Sequence, residues 1–323
     1  ALYAEFQRHC IRLVEGHALD EANLARIRAD ALAGKSVLVV CNVVARAQKV
    51  YDILREPLEK RGVKVILLHG RFNMRDRSQK EQDIGRRTGA NSAEKGPTVL
   101  VATQAVEVSL DIDLDTLYSE AAPLEALVQR FGRVNRRGEK GIADVHIFTT
   151  PPDEQKKIYD PLLVERTLAL LACHNGQQVD ESAIGGWLDE IYEGEVADKW
   201  RKEYADTAQE FDAAVVDTLR PFQSDRGIEA QFDELFDGME VLPEGDQEEY
   251  ENLVKAGKAI QAGELLVPLS YRQYAQIKRA RKAWPLREDK PWPMVVDVPY
   301  TPEQGLDLSD LARQRQEEEE PGL

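Results

Sequence analysis

Residues 129–138 read Gln-Arg-Phe-Gly-Arg-Val-Asn-Arg-Arg-Gly, which puts Arg130, Arg133 and Arg136 at intervals of three. A guanidinium stays charged at every accessible pH and forks onto phosphate oxygens, so the set suits charge stabilisation during phosphoryl transfer. If the stretch is helical, residues three apart share a face and the three groups aim at one target. Gly132 removes a side chain where that face would approach a ligand closely. A solitary RxxR is more simply a solvated basic face, so the surrounding elements decide the chemistry.

Upstream, residues 98–113 open on an apolar, β-branched run at 99–101, the kind that forms buried parallel strands. Thr103 and Gln104 follow at its carboxyl end, where open α/β sheets place their ligands. Residues 36–41 read as another buried strand, followed by an amphipathic helix over 45–58. A third strand is predicted at 63–68, leading through His69-Gly70-Arg71-Phe72 into a charged helix over 74–87, and a fourth at Ala143–Phe148. Strands alternating with helices over 150 residues give the fold class α/β, with a doubly wound, mainly parallel sheet.

In that order the segments resemble the second RecA-like lobe of a superfamily-two helicase. Residues 37–54 resemble motif IV, 68–81 (LHGRFNMRDRSQKE) the motif after it, 98–113 motif V and 129–138 motif VI. The Ala-Thr-Gln of 102–104, followed by Glu107 and by Ser-Leu-Asp-Ile-Asp at 109–113, is similar to motif V of the CRISPR-associated helicase-nuclease of type I interference systems. The Gln-Arg-x-Gly-Arg-x-x-Arg of motif VI is similar to the same family. The likeness covers residues 1–150 strongly and the remainder weakly.

The resemblance implies an ATP site shared between two lobes, with Mg²⁺ held mainly by the lobe absent here. Arg133 and Arg136 would be arginine fingers, Gln129 and Arg130 would line the cleft, and Asp111 would hold the ribose. Thr103 and Gln104 would touch the phosphates of a single DNA strand or couple that strand to the cleft, and Arg71 would contact the backbone. Asp111 and Thr103 also have plain readings, as a turn residue and a strand-end hydroxyl, and His69 reads as a satisfied loop histidine. Implied partners are single-stranded DNA, a guide-RNA surveillance complex, and the protein's own N-terminal lobe and nuclease domain. The implied function is an ATP-dependent DNA helicase that feeds single-stranded DNA to a nuclease in CRISPR interference. A helicase lobe acting elsewhere on DNA or RNA, or a non-catalytic nucleic-acid-binding scaffold, remains open.

Two motifs are decoys. Residues 29–36 fit a relaxed phosphate-loop pattern, but a helix precedes it and a strand follows, the reverse of what phosphate binding needs, so Gly34 reads as a helix C-cap. Asp20-Glu21 echoes an acidic box but reads as a helix N-cap with a first-turn carboxylate. The five histidines are scattered, the three cysteines form no CxxC, and no metal site is expected. Free thiols and the lack of a signal peptide or a membrane-length apolar run fit a cytoplasmic protein with no membrane partner. The chain begins without Met, in what looks like a helix, and reads as a piece of a longer protein predicted to be inactive by itself.

Charge divides the 323 residues. Residues 1–150 carry 23 basic and 20 acidic side chains, and residues 151–323 carry 19 and 38. The expected division is a lobe at 1–150, a helical acidic linker at 151–255, and a small C-terminal domain at 256–323 with a disordered acidic end. Such acidity argues against general affinity for phosphate backbones, yet residues 271–287 hold six bases and no acid. There Arg272, Lys278, Arg279 and Arg281 interleave with Tyr271, Tyr274 and Trp284, a pattern suited to a single strand, or simply to core aromatics with solvated bases. The segment 229–251 has ten acids and no base, and reads as a solvated face or a surface for a basic partner.

Overall fold

Short β-branched runs flanked by helices can bury both faces only inside a parallel sheet, and that is what they form. The computed structural model describes residues 7–89, 94, 96–108, 110–152, 158–216 and 238–311. Its first part runs β1 (His9–Val14), α1 (Glu21–Leu32), β2 (Val37–Val40), α2 (Val44–Glu59), β3 (Lys64–Leu68), α3 (Met74–Thr88), β4 (Thr98–Ala102), β5 (Thr116–Glu120), α4 (Leu124–Phe131) and β6 (Ala143–Phe148). The strands form one parallel sheet in the order β1-β6-β5-β2-β4-β3. Successive side chains alternate across it. Val37, Val39, Val99 and Val101 pack with α1 and α2 on one face, while Leu38, Val40, Leu100 and Ala102 pack with α3 and α4 on the other. The doubly wound α/β expectation holds.

Two strands of this sheet escaped the sequence reading. β5, Thr-Leu-Tyr-Ser-Glu, is wholly buried although three of its five residues are polar. β1 lies at the sheet edge where the chain was expected to begin as a helix; residues 1–6 lie outside the described part. Both decoys resolve as predicted in position. Gly34 takes φ +92°, Lys35 N–H bonds Asp30 O and Gly34 N–H bonds Ala31 O, which is a Schellman cap rather than a phosphate cradle. Asp20 is the N-cap residue of α1, though its carboxylate accepts from the backbone N–H of His17 instead of from the helix.

Helices α5 (Pro161–Cys173), α6 (Ile184–Tyr192) and α7 (Glu195–Phe211) follow. Leu163, Leu170, Leu171, Trp187 and Ile191 join the core of the first sheet, so α5 and α6 are packed onto the lobe rather than strung from it. Beyond residues 217–237, which lie outside the described part, β7 (Met239–Pro243), β8 (Val267–Leu269), β9 (Ala283–Arg287) and β10 (Lys290–Val296) form a second sheet in the order β8-β7-β10-β9. The terminal unit therefore already includes β7, ahead of the expected boundary at 256, because β7 is hydrogen-bonded into its sheet and Val241 and Leu242 fill its core. The acidic stretch 238–251 enters that unit as β7 and a helix over Gln247–Lys255, and the acidic end at 312–323 lies outside the described residues.

A hairpin, β11 (Tyr300–Thr301) and β12 (Gly305–Leu306), latches this unit to the lobe. The Tyr300 hydroxyl donates to Asp76 Oδ2 (2.7 Å) and accepts from the Asn73 N–H (3.2 Å), while Gln48 Nε2 donates to Gln304 O (2.9 Å). His69 is fully buried and stacks on Phe72 at 4.4 Å. Its Nδ1 accepts from the Arg71 N–H, so Nε2 carries the proton and donates to Gln304 O (2.9 Å). A Cβ at Gly305 would lie 2.6 Å from Arg71 O, so the latch closes only over glycine.

Burial depresses the His69 pKa to about 3. The unfolded ring titrates near ~6.5, so between those values only the unfolded chain takes up the proton. Stability from this group is fully present above about pH 6.5 and falls as pH drops toward 3, by up to roughly 1.4 kcal/mol per unit. Urea unfolding at about pH 7.5 and about pH 5 should show a shallower acid loss for His69→Gln than for the wild type. Coincident slopes would mean that His69 is not the titrating group; His9 and His146, also lowered by burial, titrate in both proteins.

Candidate functional site

Leu124, Leu127 and Phe131 bury one face of α4, and the helix stops at Phe131 with Gly132 as its cap. The arginines therefore do not share a helical face, as their spacing had suggested. Arg130 lies in the last turn, while Arg133 and Arg136 lie in the loop that follows.

Arg130 is fully buried. Its Nε donates to Glu107 Oε1 (2.9 Å), Nη1 to Ser119 Oγ (2.8 Å) and Glu120 O (3.2 Å), and Nη2 to Asn42 Oδ1 (2.9 Å) and Tyr159 Oη (3.1 Å). A guanidinium has five N–H donors, and all are committed inside the protein. Arg130 was expected to line the cleft; the structure buries it as an internal tie. Gln129 is exposed on α4 and makes no hydrogen bond to the loop arginines among the described residues.

The loop arginines converge on the motif V segment. Arg133 donates through Nη1 to Leu110 O (2.7 Å) and through Nη2 to Glu107 O, and its buried Nε has no partner. Burial and the neighbouring Arg136 lower its pKa, against the pull of Asp111 and Glu107. Arg136 reaches Leu110 O (3.5 Å) and pairs with Asp111 at 3.6 Å, with 44% and 74% of the two side chains exposed. Asp111, Arg133 and Arg136 thus meet at one place, at donors whose partners are carbonyls and one solvated carboxylate. A phosphate oxygen carries more negative charge than a carbonyl, and the Arg136–Asp111 pair is solvated, so a ligand's phosphate oxygens could compete for these donors. Beside the loop a cavity of about 460 Å³ is lined by residues including Ser36, Arg87, Asp113, Arg137 and Lys140.

At the carboxyl edge of the sheet, Thr103 is buried and Gln104 turns inward, donating through Nε2 to Asn42 O (3.0 Å) and Tyr159 Oη (3.3 Å). The geometry suits coupling between segments better than direct phosphate contact. Arg71 sits under the terminal hairpin, where burial lowers its pKa to about 10 and leaves Nε unpartnered. In the helix Tyr271–Arg279, Arg272, Lys278 and Arg279 are exposed, as is Arg281 just beyond it. Tyr274 and Trp284 pack against the terminal cores and only Tyr271 presents its ring, so most of the aromatic interleaving is core. Asn42 and Tyr159 carried no signal in the sequence, and Glu107 and Asn135 stood inside motifs V and VI without an assigned role; a lone polar residue advertises nothing until the chain brings its partner near. Among the described residues no three His, Cys, Asp or Glu side chains converge as a metal would require.

Residues 33–139 match the family model described as CRISPR-associated nuclease/helicase Cas3, C-terminal. The CRISPR-associated endonuclease/helicase Cas3 of Escherichia coli (strain K12) is 40% identical over 121 residues, which are 38% of this chain and 14% of that protein. The CRISPR-associated nuclease/helicase Cas3 of Methanothermobacter thermautotrophicus is 30% identical over 173 residues, 52% of this chain and 20% of that protein. This chain therefore aligns with only a small part of those relatives. The crystal structure of T. fusca Cas3-ADP superposes with a TM-score of 0.68 at 20% identity, covering 93% of this chain and 42% of that one. A chain of the CRISPR RNA-guided surveillance complex, pre-nicking, gives 0.67 at 20% identity over 93% and 44%. At such identity the two structures speak for the shared fold.

Arg130→Ala should cost roughly 3–5 kcal/mol, because it strands the Glu107 carboxylate and leaves Asn42 and Ser119 short of partners. Arg136→Ala, at a solvated pair, should cost less than about 1 kcal/mol. Urea melts of the two variants compare them directly, and equal losses would contradict the assignment of Arg130 as the internal tie.

Proposed function

We propose that this chain, which the family match and relatives support as the C-terminal helicase part of a Cas3 protein, supplies the second lobe of a two-lobed, ATP-driven translocase on single-stranded DNA. The observation that carries the reading is the meeting of Asp111, Arg133 and Arg136 at one exposed edge of the lobe. The unpartnered buried Nε of Arg133 fits an anion with more oxygens than the protein provides there. ATP would supply the transferable phosphate when bound between the lobes, and Mg²⁺ would be held by the first lobe.

In this reading Arg133 and Arg136 leave the Leu110 and Glu107 carbonyls and turn their donors to the phosphate oxygens, stabilising charge that develops there. Asp111, released from Arg136, becomes free to accept from a ribose hydroxyl. Because Arg133 and Arg136 bind the motif V backbone, their movement is felt along 107–111. Gln104 and Arg130 carry it to Asn42 and the carboxyl edge of the sheet, where the strand would lie. The exposed bases of Arg272, Lys278, Arg279 and Arg281 add phosphate contacts from the terminal unit. By likeness to the Cas3 proteins, the parent would act with a guide-RNA surveillance complex and pass the strand to a nuclease domain.

Strand-stimulated ATP hydrolysis should be negligible for this chain alone and appear when it is joined to a first lobe. Arg133→Ala in the joined protein should lower kcat by about a thousand-fold. A joined protein that is silent, or indifferent to Arg133, would leave a binding module instead of a motor. For the basic helix, replacing Lys278 and Arg279 by Ala should shrink the slope of log affinity against log salt by about 1.4, as two lost phosphate contacts would. An unchanged slope would remove that helix from the strand's path.

A further inference from the structure

The loop between α4 and β6 is fixed at several points, and one side chain does most of the fixing. Asn135 is fully buried and takes φ +45°, in the left-handed region that non-glycine residues seldom occupy. Its backbone N–H donates to Leu114 O (2.9 Å), and its own carbonyl accepts from the Gly138 N–H (3.0 Å). Nδ2 donates to Arg8 O (3.1 Å) and Gly141 O (2.6 Å), and Oδ1 accepts from the Lys140 N–H (3.0 Å). The amide thus binds the entry of β1, the entry of β6 and its own loop.

The neighbouring bonds serve the two arginines on either side. Leu114 N–H bonds Arg133 O (3.0 Å), and His9 Nε2 donates to Val134 O (2.7 Å). Asp113 Oδ1 accepts the Arg136 N–H (2.9 Å), and Arg8, ion-paired with Glu181, donates to Arg136 O. A left-handed residue two after Arg133 and one before Arg136 reverses the chain between them, so that both guanidiniums return to Leu110 O.

We propose that Asn135 is the positioning residue of the arginine pair. Its left-handed backbone turns the loop, and its amide pins the turn to the entries of the adjacent strands β1 and β6, so the fingers are held ready rather than gathered by the nucleotide. The inference rests on the proposed ATP site. Asn135 touches no ligand and acts only through Arg133 and Arg136.

The test uses the chain joined to its first lobe. Displacing a reacting group by about 1 Å costs on the order of a hundred-fold, so Asn135→Ala should lower kcat of strand-stimulated hydrolysis about 10- to 100-fold with KM for ATP little changed. Asn135→Gly, which keeps the turn and loses the amide bonds, should retain more kcat than Asn135→Ala. In an Arg133→Ala, Arg136→Ala background, Asn135→Ala should cause no further loss of the residual rate. Loss that multiplies in that background, or Gly no better than Ala, overturns the positioning role and marks a folding residue. Full activity in Asn135→Ala also overturns it. Failure of Arg133→Ala to reduce kcat in the parent would instead sink the ATP-site reading, independently of Asn135.

Discussion

A guanidinium with no exposure to water sits at the carboxyl end of the sheet, and the rest of the arrangement depends on how Arg130 is satisfied there. An unpaired buried charge is strongly destabilising, so the fold is stable only if every donor finds a partner. The partners come from four separate segments: Asn42 at the end of β2, Glu107 after β4, Ser119 and Glu120 on β5, and Tyr159 before α5. Satisfying one side chain therefore fixes α4, the motif V segment and the following helices in one register. It also explains the polar residues of β5, whose buried Glu120 accepts from Arg46 and from the Asn42 N–H.

From that tie the site follows by short steps. α4 ends one residue past Arg130, the chain reverses at Asn135, and Arg133 and Arg136 come back to the segment that Arg130 already holds through Glu107. The outcome is a graded set of contacts. The innermost arginine is saturated, the next has a spare buried donor, and the outermost is solvated. Strength of attachment falls toward the edge where a ligand would compete, which is the order a pre-organised yet exchangeable anion site needs.

The terminal unit is attached with similar economy of means. Tyr300, Gln304 and Gly305 close on Asp76, His69 and Arg71, while Arg75 forks onto Glu249 with Nη1 at 2.8 and 2.9 Å from its two oxygens. The acidity of the second half is thus used in part at this boundary, not spread wholly into solvent. Arg281, at φ +58°, occupies the left-handed cap position after its helix where glycine is usual, with Lys282 N–H on Ile277 O and its own N–H on Lys278 O. The strain is local, and no contact in the structure explains why a base stands there.

The sequence by itself determined the parallel sheet, because valine and leucine runs such as 37–40 and 98–102 have no alternative but burial on both faces, and it marked Gly34 as a cap and His69 as a satisfied loop residue. It also carried the motif spacing that matches Asp111 with Arg133 and Arg136. It could not give β5, whose Thr, Ser and Glu look like a loop until Arg130 and Arg46 are seen opposite them, nor β1, an edge strand with mixed character. Nor could it rank three arginines at equal spacing. Which of them is a structural tie and which are free to meet a ligand depends on where α4 stops and on the partners contributed by residues up to 88 positions away. Spacing along a chain fixes what a helix could present; solvation and hydrogen-bond satisfaction, set only when distant segments meet, decide what it does present.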